Sequence, residues 1–193
     1  MKTFWIFGGF ILLLPTTTIG QVTVGAQVLA SSGLSYRNPS LGGFVDVRAN
    51  VNRLFLRGTG NISNDQKVFE QDGYTMRARG EVGVFVAPGL VVNGIVSANK
   101  HSNSSYTKLG VASGLGVRYI GRSGTQVYGS YMFPDTSPNR GRTLSVGIER
   151  FTAKSLYWGT TFSFDKFYQL NESKPRQGLI AEWRVGYSFG RRE

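Results

Sequence analysis

The sequence predicts an all-β fold: an up-and-down antiparallel transmembrane barrel of about ten strands, with eight as the fallback count. Three observations predict it. Side chains alternate in character at period two along most of the chain, the charged ones keep to a single phase, and short connections alternate with long ones. The alternation is clearest in Gln177–Phe189, where Leu179, Ala181, Trp183, Val185, Tyr187 and Phe189 share one face. Gly178, Glu182, Arg184, Gly186 and Ser188 occupy the other, with Ile180 out of place. A strand between lipid and a polar lumen satisfies both faces.

Composition sets the bounds. The 193 residues suit one domain, and the absence of cysteine excludes a disulfide framework and a thiolate metal site. Glycine is abundant at 26 residues, and phenylalanine and tyrosine, 13 and 9, together outnumber leucine, which favours strands. Residues 1–20 read as a secretory signal peptide: Met1-Lys2-Thr3, an apolar run from Phe4 to Leu14, then small residues from Pro15 to Gly20. Residues 21–193 form the barrel domain. Beyond the leader, no apolar run approaches the roughly 20 residues of a membrane helix. The net charge of +11 raises nucleic acid as a partner, but export and the scatter of the cations argue against it.

Each element can be justified in turn. The first strand sets Val22, Val24, Ala26, Val28 and Ala30 against Thr23, Gly25 and Gln27, and 31–41 reads as a loop. Gly43–Val51 opposes Val45, Val47, Ala49 and Val51 to Asp46, Arg48 and Asn50. After a turn at Asn52-Arg53, Leu54, Leu56, Gly58, Gly60 and Ile62 oppose Arg57, Thr59 and Asn61, and the polar stretch 64–73 reads as a loop. From Tyr74, Met76, Ala78, Gly80, Val82, Val84 and Val86 alternate with Thr75, Arg77, Arg79, Glu81 and Gly83, ending at the turn Ala87-Pro88-Gly89. Leu90–Ala98 is apolar on both faces, so its phase stays open, and 99–107 reads as a loop holding the single histidine. Lys108–Tyr119 carries Arg118 in the polar phase, and Gly121–Gly124 leads to Thr125–Phe133. Arg142–Arg150 carries Glu149 in that phase; a turn at Thr152–Lys154 precedes Ser155–Asp165, where Leu156, Trp158, Thr160, Phe162 and Phe164 share a face.

Ten charged residues therefore lie opposite the aliphatic face: Asp46, Arg48, Arg57, Arg77, Arg79, Glu81, Arg118, Glu149, Glu182 and Arg184. A charge facing lipid at mid-bilayer costs about 2–4 kcal/mol, so a membrane barrel enforces this single phase. A soluble lipocalin-like binding barrel shows the same alternation with the opposite polarity. Aromatics near the strand ends favour lipid outside, among them Tyr74, Tyr119, Phe133, Trp183, Tyr187 and Phe189.

Through Trp183 to Phe189 the chain resembles the small bacterial outer-membrane β-barrel proteins, the OmpA/OmpX-like and porin-family barrels. Their last strand ends in alternating aromatics closing on a terminal phenylalanine. Here Tyr187-Ser188-Phe189 matches that signal, but Gly190-Arg191-Arg192-Glu193 follows it. The resemblance implies a Gram-negative cell envelope, residence in the outer membrane among its lipids, and barrel-assembly machinery that reads Trp183, Tyr187 and Phe189. It implies no particular activity, and no cofactor.

Two readings of the luminal charges are open: a packed, paired interior, or a narrow pore biased toward anions by the excess of arginine. The expected role is structural or interactive at the cell surface. The enzymatic alternative is a membrane-embedded hydrolase using His101, with Ser102, Ser104 and Ser105 nearby. This faintly resembles the outer-membrane lipid A deacylases, whose serine lies two residues after the histidine, where this chain has Asn103. Asp65, Asp72 and Asp135 are too scattered for an omptin-like protease, and one histidine without cysteine argues against a transition-metal site.

Overall fold

The computed structural model describes residues 19–32, 39–68, 71–103, 107–133, 141–152, 155–167 and 176–190. Ten antiparallel strands follow one another around a closed barrel. They are β1 (Ile19–Ser32), β2 (Ser40–Val51), β3 (Leu54–Val68), β4 (Gln71–Ala87), β5 (Leu90–Asn103), β6 (Thr107–Ile120), β7 (Thr125–Met132), β8 (Gly141–Phe151), β9 (Leu156–Phe167) and β10 (Arg176–Gly190). The barrel closes where β10 pairs with β1, from Gln21 opposite Gly190 to Ser32 opposite Leu179. Closure removes both sheet edges, so the backbone polar groups of the wall find partners within it, as a lipid setting demands.

The count is ten, not the fallback of eight. β1 starts at Ile19, two positions ahead of the expected cleavage point; residues 1–18 of the expected leader lie outside the described residues. The β2–β3 turn is two residues long, with Asn52 in the left-handed region at φ 55°, and Gly89 takes φ 74° in the β4–β5 turn. Both ends of the described chain lie at the short-turn rim.

At the opposite rim, two expected loops are corrected. Residues 64–73 are mostly strand: β3 runs to Val68 and β4 begins at Gln71, with a register shift between Ser63 and Gln66. Residues 99–107 are likewise mostly strand, since β5 reaches Asn103 and β6 begins at Thr107. Continued pairing satisfies the backbone of both stretches without an apolar face. At 17 residues β4 is about twice the length of β7, which has 8, so the wall stands higher over β3–β6 than at β7.

Candidate functional site

The strands turn most of their aliphatic and aromatic side chains outward. Val82, Val84 and Val86 on β4, Leu115 and Val117 on β6, Val146 on β8, and Phe162 and Phe164 on β9 are all exposed on the outer surface. The phase of β5 is now fixed: Val92 and Val96 face out, while Val91, Asn93, Ile95 and Ser97 are buried inside. The polarity is the reverse of a lipocalin, whose apolar side chains line the interior.

Inside, β2, β3, β4, β6 and β8 deliver six charges to one cluster. Arg48 forms a two-pronged bond to Asp46, with Nε donating to Oδ1 at 2.9 Å and Nη2 to Oδ2 at 2.8 Å. It also donates to Glu149 Oε2 at 2.6 Å. Arg57 stands directly across the β2–β3 pairing from Arg48, an arrangement that repels unless an anion lies between. Asp46 is that anion: its Oδ2 accepts from Arg57 Nη2 at 2.5 Å as well as from Arg48. Arg57 Nη2 reaches Glu149 Oε1 at 2.8 Å, and its Nη1 lies 3.8 Å from Glu81. Arg118 bridges the two glutamates, at 3.3 Å from Glu149 and 3.4 Å from Glu81.

Neutral groups complete the cluster. Gln126 Oε1 accepts from Arg48 Nη1 at 2.9 Å and from Arg118 Nη1 at 3.0 Å, and Asn93 donates to Glu81 at 3.0 Å. Aromatic rings pack on the guanidiniums: Arg48 lies 4.8 Å from the Phe151 centroid, and Arg118 lies 4.6 Å from Tyr128 and 5.4 Å from Phe55. Burial is nearly complete, with Asp46 0% exposed and Arg118 and Glu149 1%. Charges this deep are tolerable only because each is paired and hydrogen-bonded.

The remaining four predicted charges lie beside the cluster. Arg79 Nε is 3.0 Å from Glu81 Oε1, Arg184 pairs with Glu182 and stacks 5.4 Å from Phe44, and Arg77 donates to Asn99 Oδ1 at 3.0 Å. The cluster itself is neutral, three arginines against three carboxylates, and Arg184 balances Glu182. Of the ten, Arg77 and Arg79 are the surplus. They lie four and two residues nearer the long-loop end of β4 than Glu81. Nearer that rim the lumen is lined by short polar side chains, with Thr59, Ser63, Thr75, Ser97, Ser130 and Ser145 buried there.

An apolar outer wall around a charged, hydrogen-bonded interior is the polarity of barrels that span a bilayer. The chain is a closed ten-strand β-barrel of that transmembrane polarity. No family model matches the sequence, and no curated protein matches it. Among solved structures it is similar to Neisserial surface protein A at 10% identity, over 89% of this chain and 97% of that one, with a TM-score of 0.48. It is also similar to the KdgM porin in complex with disordered oligogalacturonate, at 10% identity, 90% and 99% coverage and a TM-score of 0.45. A third is Ail, the attachment invasion locus protein of Yersinia pestis, at 13% identity, 89% and 99% coverage and a TM-score of 0.32.

His101, expected in an outer loop, is instead a strand position of this barrel. It lies on β5, opposite Thr75 on β4 and Lys108 on β6. Ser104, Ser105 and Asp135 lie outside the described residues, and Asp65 and Asp72 fall on β3 and β4. Among the described residues no group of three or more histidine, cysteine or carboxylate side chains is arranged to hold a metal ion. Trp183, Tyr187 and Phe189 all face outward on β10, and the Tyr187 and Phe189 rings meet edge-on with centroids 4.9 Å apart.

The sequence reading missed the neutral and aromatic members: Asn93, Gln126, Phe44, Phe55, Tyr128, Phe151 and Tyr157. A signal for most of them was present. Phe44 and Phe55 sit two residues before Asp46 and Arg57, Phe151 two after Glu149, and Gln126 and Tyr128 two apart, so each shares the luminal phase of its strand.

Proposed function

We propose that this protein is a closed barrel of the bacterial outer membrane, serving a structural and surface-presenting role rather than conducting solutes. The neutral, packed charge cluster carries this reading: three arginines and three carboxylates, at most 5% exposed, occupy the lumen beside four aromatic rings. An anion-selective pore instead calls for an unpaired ring of arginines around a water-filled constriction. The surplus cations Arg77 and Arg79 lie to one side of the cluster, and Arg79 is already engaged by Glu81. The high wall of β3–β6 supplies a surface for presentation, and the outward aromatics of β10 supply the signal for assembly machinery.

Planar-bilayer recording tests the proposal. The wild-type protein gives no steady conductance. A variant with the cluster emptied of two large members, Arg118→Ala with Glu149→Ala, conducts. Steady anion-selective current through the wild-type protein would overturn the closed reading.

A further inference from the structure

The outer surface carries one feature that neither the barrel nor its lumen requires. Near the long-loop rim, Tyr131, Leu144, Phe164 and Leu179 stand side by side on β7, β8, β9 and β10, an unbroken apolar row around the outside. All four are exposed. One step nearer the rim, the row changes character. Arg142 on β8 lies directly opposite Lys166 on β9, which lies opposite Gln177 on β10. Phe133 flanks the row, its ring edge-on to Tyr131 with centroids 5.5 Å apart. A change from apolar to basic along the outer wall is the pattern expected where hydrocarbon gives way to headgroups.

Two like charges directly opposed on neighbouring strands destabilise a sheet. Inside the barrel, Arg48 and Arg57 stand in the same relation and are reconciled by the shared Asp46. On the outside, the described carboxylates of the neighbouring strands offer no such help: Glu149 on β8, Asp165 on β9 and Glu182 on β10 all lie on luminal positions. An anion from the membrane would supply what the described residues of these strands do not.

We propose that Arg142 and Lys166 form a binding site for a phosphorylated lipid of the outer leaflet, its phosphate bridging the two cations and its acyl chains lying along Tyr131, Leu144, Phe164 and Leu179. The charge fits: a phosphomonoester carries about −1.5 to −2 near neutral pH, against two positive charges. Depth fits too, since basic side chains near the interface cost about 0–1 kcal/mol, far less than at the midplane. Arg142 offers planar paired donors to two phosphate oxygens, and Lys166 a point charge. Arg150, outward on the same strand at the short-turn rim, provides an internal control.

The full barrel in neutral detergent, offered dioleoyl phosphatidic acid or dioleoyl phosphatidylcholine and read by native mass spectrometry, tests the assignment. The wild-type protein retains one phosphatidic acid in preference to phosphatidylcholine. Arg142→Gln with Lys166→Gln weakens that retention about 25-fold, since each basic residue at a charged membrane surface contributes about five-fold. Arg150→Gln leaves it unchanged, and heat-modifiable gel migration confirms that each variant is folded. Equal retention of the two lipids by the wild-type protein, or equal retention of phosphatidic acid by wild type and double variant, would overturn the proposal. Displacement of the lipid by low-millimolar inorganic phosphate would also overturn it, by reducing the site to one for a free ion.

Discussion

Replacing Glu149 by glutamine tests whether the luminal cluster holds the barrel together. The side chain keeps its shape and loses its charge. Glu149 is 1% exposed and accepts from three guanidiniums, with distances of 2.6 Å to Arg48, 2.8 Å to Arg57 and 3.3 Å to Arg118. Its neutralisation leaves three arginines facing two carboxylates in a place water does not reach. Breaking a buried pair by removing one partner costs about 3–5 kcal/mol, and Glu149 belongs in that range because no exposed partner can take over. With a urea slope of about 2 kcal/mol/M, the unfolding midpoint falls by about 2 M. Fluorescence of the lipid-facing Trp158 and Trp183 in vesicles follows the transition. Charge balance sharpens the test. Adding Arg118→Gln restores two arginines to two carboxylates, so the double variant is less destabilised than the sum of the singles by about 0.5–3 kcal/mol. A Glu149→Gln variant within 1 kcal/mol of wild type, or strict additivity in the pair, would refute the reasoning.

Three further outcomes follow from the wall. Val146 lies four residues from both Arg142 and Arg150 and is 53% exposed at the middle of β8, so Val146→Arg costs about 2–4 kcal/mol in vesicles; a cost below 0.5 kcal/mol would place that face away from lipid. At the closing seam a Cβ on Gly25 would stand 2.5 Å from Gly186 Cα and 2.9 Å from Phe44 Cε1. Gly25→Ala therefore destabilises by about 1–3 kcal/mol in urea unfolding, whereas Gly58→Ala, whose Cβ meets nothing within 4 Å, does not. Phe189→Ala, at an exposed position that contacts Tyr187 alone among the rings, slows assembly in cells while leaving urea stability of the folded barrel within about 0.5 kcal/mol; unchanged assembly kinetics would remove the residue from the signal.

The barrel was legible wherever the two faces of a strand meet different solvents. Asp46 and Arg48 between Val45, Val47 and Ala49 declare their phase unaided, and so do Arg77, Arg79 and Glu81. Legibility failed for two physical reasons. Above the bilayer no face needs to be apolar, so 64–73 and 99–107 lose the period-two signal while strand pairing extends into them, to Val68 opposite Gln71 and to Asn103 opposite Gly73. In Leu90–Ala98 both faces are apolar because Val91 and Ile95 pack inward, Ile95 opposite Glu81 across the β4–β5 pairing. The partnership of particular charges was not legible either. Glu149 meets Arg48 from 101 positions away, a contact set by curvature of the whole sheet. Trp183, Tyr187 and Phe189 were readable as outward-facing, and their role in assembly rests on the resemblance.

Why a barrel should fill its lumen with ions, when an apolar core is often as stable or more so, has an answer in the phase rule. With lipid outside, an apolar lumen would leave the two faces of each strand chemically alike, and nothing would oppose a slip by one residue. Slipping flips every side chain of the strand to the other face. For β2 that slip would send Asp46 and Arg48 into lipid, at about 2–4 kcal/mol for a midplane arginine, and would take Asp46 from Arg57 and Arg48 from Glu149. The correct register satisfies all of them at once. The charge cluster thus contributes more to the uniqueness of the barrel than to its depth of stability, and variants that neutralise it in balanced pairs should lose register before they lose β-structure.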